Sequence, residues 1–393
     1  MRHLSGRNLP ALDAVRAAGA FLVIAFHFGF SSIPGPTGVL IFYVLSGFLI
    51  TWLLLREHGQ TGSVSLKGFY IRRALRIFPA FYFYWVVVMA LRLALDKPID
   101  WGQAVSSFFY VNNYYQGLAG DHLRSPLSHT WSLAVEEQFY LLWPLGFLLV
   151  LRSRRGPALW LPAAIIGVWI YRSILHAGFK VSSVYIYEGF EARADHLLVG
   201  CLLAFALRRG WWPGFWRACC GHPALALLPI AGLGLSTLAH QRLGNDYRFL
   251  AAFVLDPLLV AVLLAQLIAF SDSPWWSWLN ARWLRYLGTI SYSTYLWQQP
   301  ILDPVRRLLD GWPMASQLMV ALALIYGAAT GSYYLIEKPF LRLKERFSPA
   351  ASAHAASFGR LERSLMPDAG VSAGSTSGKP LKNLVPPSEQ LPA

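Results

Sequence analysis

Arg16 and His27 stand eleven residues apart in the stretch Leu9 to Phe30, which reads LPALDAVRAAGAFLVIAFHFGF. The stretch has the length a bilayer-spanning helix needs, roughly 20 mostly apolar residues. Eleven residues is close to three helical turns, so the two side chains share one face about 16 Å apart along the axis. A guanidinium holds anions, and an imidazole takes and returns a proton near neutral pH. An ionisable group inside such a segment costs on the order of 2.5–3.5 kcal/mol, which makes it a site candidate by default. The pair reads as a path through a membrane, with a cation at one depth and an acid–base group at another.

Further charged groups lie elsewhere in the chain. Lys67 to Pro79 reads KGFYIRRALRIFP. Its spacing predicts a short helix on which Arg72 and Arg76 face one direction beside Arg73. Such a segment either touches anionic lipid and holds orientation, or clamps a phosphorylated ligand bidentately. Glu136 and Glu137 follow Trp131-Ser132-Leu133 at the expected outer end of a span. Adjacent helical residues point about 100° apart, so one carboxylate at most faces the interior that His27 faces. Arg193 and Asp195 open another span at the same expected level, and Asp256 is a further intramembrane carboxylate, expected to be structural. Tyr43 and Ser46-Gly47 lie in FYVLSGFLIT, where close helix packing competes with a functional role for the serine. No G-x-S-x-G elbow surrounds Ser46.

The elements that must position these groups are transmembrane helices. The chain is 55% hydrophobic and 14% charged, against about 25% charge in a soluble domain, and its apolar residues fall into runs of span length. The fold expected is an all-α polytopic bundle of about ten helices, near 10–30, 37–55, 77–95, 131–151, 157–175, 191–208, 223–240, 249–270, 285–303 and 315–336. Lys and Arg favour the connections on the N-terminal side by about two to one, which puts both termini in the cytosol. The net charge of +14 therefore reflects topology and not nucleic-acid binding. Cys201, Cys219 and Cys220 form neither a disulfide framework nor a metal-ligand pattern. Residues 1–346 read as the transmembrane domain, and 347–393 as a disordered cytosolic tail rich in Ala, Ser, Gly and Pro. No soluble domain is expected to follow.

Several of these stretches together carry a resemblance. They are Leu12-Asp13 with Arg16 and His27, Phe42 to Ile50, Arg72-Arg73 with Arg76 and Pro79, and Trp131-Ser132-Leu133 with Glu136 and Gln138-Phe139-Tyr140. Arg193 with Asp195, Ser291-Tyr292-Ser293 with Tyr295-Leu296-Trp297, and Glu337-Lys338-Pro339 complete the set. In this order they resemble the acyltransferase-3 family of integral membrane proteins, which O-acylate carbohydrates and other hydroxylated molecules. The resemblance implies a cytosolic acyl-CoA donor, acetyl-CoA by default, and a carbohydrate or glycosylated acceptor at the outer face of the cell inner membrane, with no metal. Arg16, Arg72, Arg73 and Arg76 are the expected donor-binding set. His27 is the expected base, with Glu136 or Asp195 orienting its imidazole as the carboxylate does in a catalytic triad. Trp131, Arg193, Glu137, Tyr43 and Ser46 are the expected substrate contacts. Many members carry His where this chain has Gln298, so Gln298 is given no proton-transfer role. An acyl-histidine intermediate is the rival chemistry. A proton-coupled transporter or flippase, with His27 and Glu136 as its relay, is the rival function.

Overall fold

The computed structural model describes residues 10–30, 32–119, 125–152 and 155–347. The chain opens with α1 (Pro10–Phe28), α2 (Gly35–Thr61) and α3 (Leu66–Ala94). Two short helices, α4 (Trp101–Phe108) and α5 (Asn112–Ala119), precede α6 (Thr130–Leu151) and α7 (Gly156–Ser173). Then come α8 (Ser183–Glu188), α9 (Phe190–Arg209), α10 (Pro213–Cys219), α11 (Leu227–Tyr247) and α12 (Phe253–Ala269). The described chain closes with α13 (Arg282–Thr289), α14 (Ser291–Leu308), α15 (Met314–Ser332) and α16 (Lys338–Glu345). Among the described residues there is no strand. The segment expected to be a disordered tail lies, apart from Phe347, outside them.

The protein is an all-α polytopic membrane bundle. A long helix occupies each of the ten expected stretches. Among the described residues, seven helical stretches are long and apolar enough to cross a membrane, and one of these, Pro223–Ala269, contains both α11 and α12. The polar helices α9 and α14 are not among the seven. Their polar side chains turn inward instead: Arg193, Asp195 and His196 on α9 are buried, as are Ser293, Thr294 and Gln298 on α14. Conversely, Leu141, Leu142, Leu145 and Leu149 of α6 are exposed. An apolar outside around a polar inside is the arrangement a lipid solvent requires.

One expectation is corrected here. The basic stretch from Lys67 is not a separate short helix but the opening of α3, whose 29 residues run on without a break. At 1.5 Å per residue α3 is about 43 Å long, more than the hydrocarbon thickness of about 30 Å, so its charged first turns have room outside that layer. Ser65 starts it, its hydroxyl accepting from the Gly68 N–H at 3.1 Å. Gly62, with φ 72°, ends α2 just before.

Backbone-to-backbone contacts between helices fix the bundle. A Cβ on Gly47 would overlap the Leu197 carbonyl, and one on Gly200 would overlap the Val44 carbonyl, so α2 and α9 touch through their main chains. Gly38 of α2 meets the Gly19 carbonyl of α1, and Gly288 of α13 meets the Asp13 carbonyl. Small residues at such crossings let dispersion contacts accumulate where lipid supplies no hydrophobic drive. Gly47 is thus a packing residue. Replacing it with Ala must push two backbones apart, an overpacking cost of about 1–3 kcal/mol. Gly47→Ala is therefore expected to lower the thermal unfolding midpoint in nanodiscs, whereas Gly234→Ala, with open space at its Cβ, should leave it near wild type.

Candidate active site

Register decides which charged groups meet. Helices α1 and α2 run antiparallel with Gly19 facing Gly38. Helix α6 runs alongside α2 in step with it: Tyr43 Oη donates to the Ser132 carbonyl at 3.3 Å, Ser46 Oγ to Glu136 Oε1 at 2.8 Å, and Trp143 Nε1 to Thr51 Oγ1 at 2.9 Å. Ser46 lies eight residues from Gly38 in the direction of the α1 N-terminus, and His27 lies eight residues from Gly19 in the other direction. Glu136 is therefore displaced from His27 by on the order of 20 Å along the bundle. It belongs with Arg16, not with His27.

The His27 end is built by α1 and α14. His27 Nδ1 meets Gln298 Oε1 at 3.3 Å. In the tautomer that donates from Nδ1 to this oxygen, Nε2 is left as the base. Gln298 is fully buried. Asp303 and His129 both lie within electrostatic range of His27. Beside this end a pocket of about 540 Å³ opens, lined by Phe28, Asp303, Arg306, Arg307, Asp310, Met314 and Gln317. From here a polar seam leads inward: the Tyr295 hydroxyl donates to the His129 carbonyl at 3.1 Å and meets Ser132 Oγ at 2.5 Å.

The opposite end gathers cations. Arg16 Nη1 pairs with Asp13 Oδ1 at 3.1 Å. Arg73 lies 3.7 Å above the Tyr140 ring, and its buried Nε has no hydrogen-bond partner. Arg76 is within electrostatic range of Arg16, Arg73 and Glu337, and Lys344 of α16 is within range of Arg72, Arg73 and Arg76. Glu337 bonds the Ser293 hydroxyl. Among the described residues no ion pair within 4 Å neutralises Arg73 or Arg76. Excess guanidinium charge of this kind fits a phosphorylated ligand. Arg72 is different, because its Nη2 pairs with Glu57 Oε2 at 2.6 Å and its Nη1 donates to the Phe347 carbonyl at 2.9 Å. It anchors the helix that presents the other two.

Between the ends, α9 contributes a closed ionic network. Asp195 Oδ2 pairs with Arg172 Nη1 at 3.0 Å and accepts from Trp169 Nε1 at 2.9 Å, while its Oδ1 meets His196 Nδ1 at 2.7 Å. Both Arg172 and Asp195 are 0% exposed. Arg193 lies over the rings of Phe253, Tyr187 and Tyr43, at 4.2, 4.9 and 5.5 Å. Trp131 packs on Tyr187 and Tyr43, with ring centroids 5.2 and 6.5 Å away.

The expected convergence of α1, α6 and α9 charges at one level is therefore corrected. Neither Glu136 nor Asp195 orients His27: Glu136 is held by Ser46 and, at 3.4 Å, by the Tyr140 hydroxyl, and Asp195 is saturated by Arg172, Trp169 and His196. Glu137 points to another face, near Arg73, Tyr110 and Tyr292. The partner of His27 is Gln298, given no role from sequence. Arg172 was legible as a cation inside the expected span 157–175 and went unused, and His129 carried no signal beyond being a histidine ahead of Trp131. Asp256 has its Oδ1 unpartnered. Removing one member of a buried ion pair costs about 3–5 kcal/mol. Arg172→Met is thus expected to lower the unfolding midpoint by many degrees, and Asp195→Asn to do the same, measured by thermal melting in detergent. A midpoint unchanged in both would show the network to be structurally dispensable.

A family profile described as an acyltransferase domain matches residues 9–337. The chain is 36% identical over 359 residues to the peptidoglycan O-acetyltransferase OatA of Listeria monocytogenes, covering 85% of this chain and 56% of that protein. It is 31% identical over 364 residues to the O-acetyltransferase OatA of Staphylococcus aureus, covering 85% of this chain and 57% of the relative. The chain thus spans little more than half the length of these relatives. No solved structure matches it.

Proposed function

Because the chain belongs to the acyltransferase-3 family, we propose that it is a membrane O-acetyltransferase moving an acetyl group from cytosolic acetyl-CoA to a hydroxyl of a cell-wall glycan at the outer face of the inner membrane. The observation that carries this reading is the separation of two unlike sites on one polar seam. At one end stand Arg73 and Arg76, with no carboxylate within 4 Å among the described residues; at the other stands an imidazole whose Nδ1 meets Gln298 Oε1.

Both termini face the cytosol in this reading, so the Arg73 and Arg76 end faces the donor. Those two, with Arg16 and Lys344 nearby, hold the phosphates of coenzyme A, and the pantetheine arm brings the thioester inward toward His27. The acceptor approaches from the opposite side through the pocket of Asp303, Arg306 and Arg307, where charged side chains suit a polyhydroxylated ring. His27 Nε2 takes the acceptor proton, the alkoxide adds to the thioester carbonyl, and the carbon–sulfur bond breaks as the proton returns to the thiolate. Gln298 Oε1 keeps the imidazole in the tautomer this requires, as a carboxylate does elsewhere. Glu136, on Ser46, sits along the donor path and balances the arginines.

The test is thiol release from acetyl-CoA by purified protein in nanodiscs, with and without peptidoglycan fragments. Glycan-dependent release is expected, with kcat reduced by about 10²–10⁴-fold in His27→Ala, the usual worth of a general base. Gln298→Leu is expected to lower kcat with little change in the KM for acetyl-CoA. Arg73→Gln with Arg76→Gln is expected to raise that KM by about tenfold or more, since each lost charge-assisted bond is worth about 1.5–3 kcal/mol. Full activity in His27→Ala, or an unchanged KM in the arginine variant, would contradict the corresponding assignment.

A further inference from the structure

His129 stands immediately ahead of α6, 3% exposed, and neither nitrogen of its ring makes a well-formed hydrogen bond among the described residues, the backbone carbonyls of Pro126 and Leu296 lying nearest in range. Everything else about it is fixed. Its carbonyl accepts from Ser132 Oγ and from the Tyr295 hydroxyl, both at 3.1 Å. Its ring packs against those of Tyr295 and Tyr84, at centroid distances of 5.3 and 5.8 Å. Trp297 Nε1 and Gln298 Nε2 are likewise buried without partners, and the Trp297 ring meets the same Tyr84 ring at 5.4 Å. Of these groups, Gln298 meets His27 directly and the His129 ring lies within electrostatic range of it.

A buried donor or acceptor left unpaired costs about 1–3 kcal/mol. A site needing only bulk among Tyr84, Tyr295 and Trp297 would be filled more favourably by phenylalanine. Buried polar groups are otherwise almost always satisfied, so unsatisfied groups on His129, Trp297 and Gln298, the last in contact with His27, mark where a reacting polar group sits. Among the described residues no carboxylate pairs with the His129 ring, so an imidazolium there would be an uncompensated buried charge. The ring is neutral, with one N–H to give.

We infer that His129 is a second catalytic imidazole, donating its N–H to the carbonyl oxygen of the acetyl group while His27 handles the proton. This rests on the acyl-transfer reading. As the acceptor oxygen bonds to the carbonyl carbon, the acceptor proton passes to His27 and the carbonyl electron pair moves onto oxygen, which becomes an oxyanion facing His129. Collapse returns that pair, breaks the carbon–sulfur bond, and sends the His27 proton to the leaving thiolate. His129 gains and loses no proton. Such a donor acts on charge that exists only in the transition state, so its removal lowers kcat and not donor affinity.

The experiment compares His129→Phe and His129→Gln with wild type in nanodiscs, by thiol release with peptidoglycan fragments and by thermal unfolding. In His129→Phe, kcat is expected to fall about 10²–10³-fold, the loss typical of one oxyanion donor. The KM for acetyl-CoA should stay within about threefold and the unfolding midpoint at or above wild type, since an apolar replacement removes unsatisfied buried polarity. His129→Gln keeps an N–H donor and should recover at least tenfold of the loss. Wild-type kcat in His129→Phe overturns the inference and leaves acyl transfer standing. Equal losses in both variants with lowered midpoints overturn it in favour of a structural histidine. A wild type that releases no thiol with any glycan defeats the acyl-transfer reading, and this one with it.

Discussion

Main-chain contact between α2 and α9 sets the geometry on which everything polar in this bundle depends. Gly47 lies under the Leu197 carbonyl and Gly200 under the Val44 carbonyl, so neither helix can rotate or slide without a steric clash. The residues that flank this crossing are the polar ones: Tyr43 and Ser46 on α2, and Arg193, Asp195 and His196 on α9. With α2 fixed, Ser46 places Glu136, and the Tyr43 hydroxyl places the Ser132 carbonyl. Four glycine contacts and a few hydrogen bonds thus carry the register of α1, α2, α6, α9 and α13.

The same register explains what could be read in advance and what could not. The spans were legible because apolar length is a property of each segment alone. The site types were legible because an ionisable side chain in an apolar run has few innocent explanations. The pairing was not, because it depends on how far one helix slides along another. Glu136 was expected at the outer surface because its helix begins there in sequence. In the folded chain α4 and α5 cover that beginning: Asn112 Nδ2 bonds the Leu127 carbonyl at 3.2 Å and Thr130 Oγ1 at 2.9 Å, and the first turns of α6 lie well inside. Glu136 bonds Ser46 and Glu137 lies within range of Tyr110, while Arg73 and Tyr292 are within range of both. Gln298 was passed over for want of an ionisable group, although a carboxamide oxygen fixes an imidazole tautomer as well as a carboxylate oxygen does.

Charge within the bundle is treated in two contrasting ways. Around Asp195 every partner is supplied by the chain: Arg172 alone donates to Asp195 and to the carbonyls of Ala192, Phe249 and Phe253. A pair so completely enclosed tolerates desolvation because each ion is met by its opposite and by hydrogen bonds. Around Arg73 and Arg76 the chain supplies aromatic faces and distant carboxylates but no close anion. The first arrangement spends its electrostatics on holding α7, α9 and α12 together. The second keeps it available to something that arrives.

The anchoring of Arg72 bears on how tightly that arrival can be held. Its guanidinium spans Glu57 of α2 and the Phe347 carbonyl, so the turn of α3 that carries Arg73 and Arg76 is held from both sides. Arg73 is further immobilised on the Tyr140 ring. Long basic side chains ordinarily lose about 0.5–1.5 kcal/mol of rotamer freedom each when they close on a ligand. Here much of that loss has already been taken in folding. For the donor phosphates proposed to enter between them, the shape of the cradle would not have to be made, so affinity would rest on this stiffness as well as on charge.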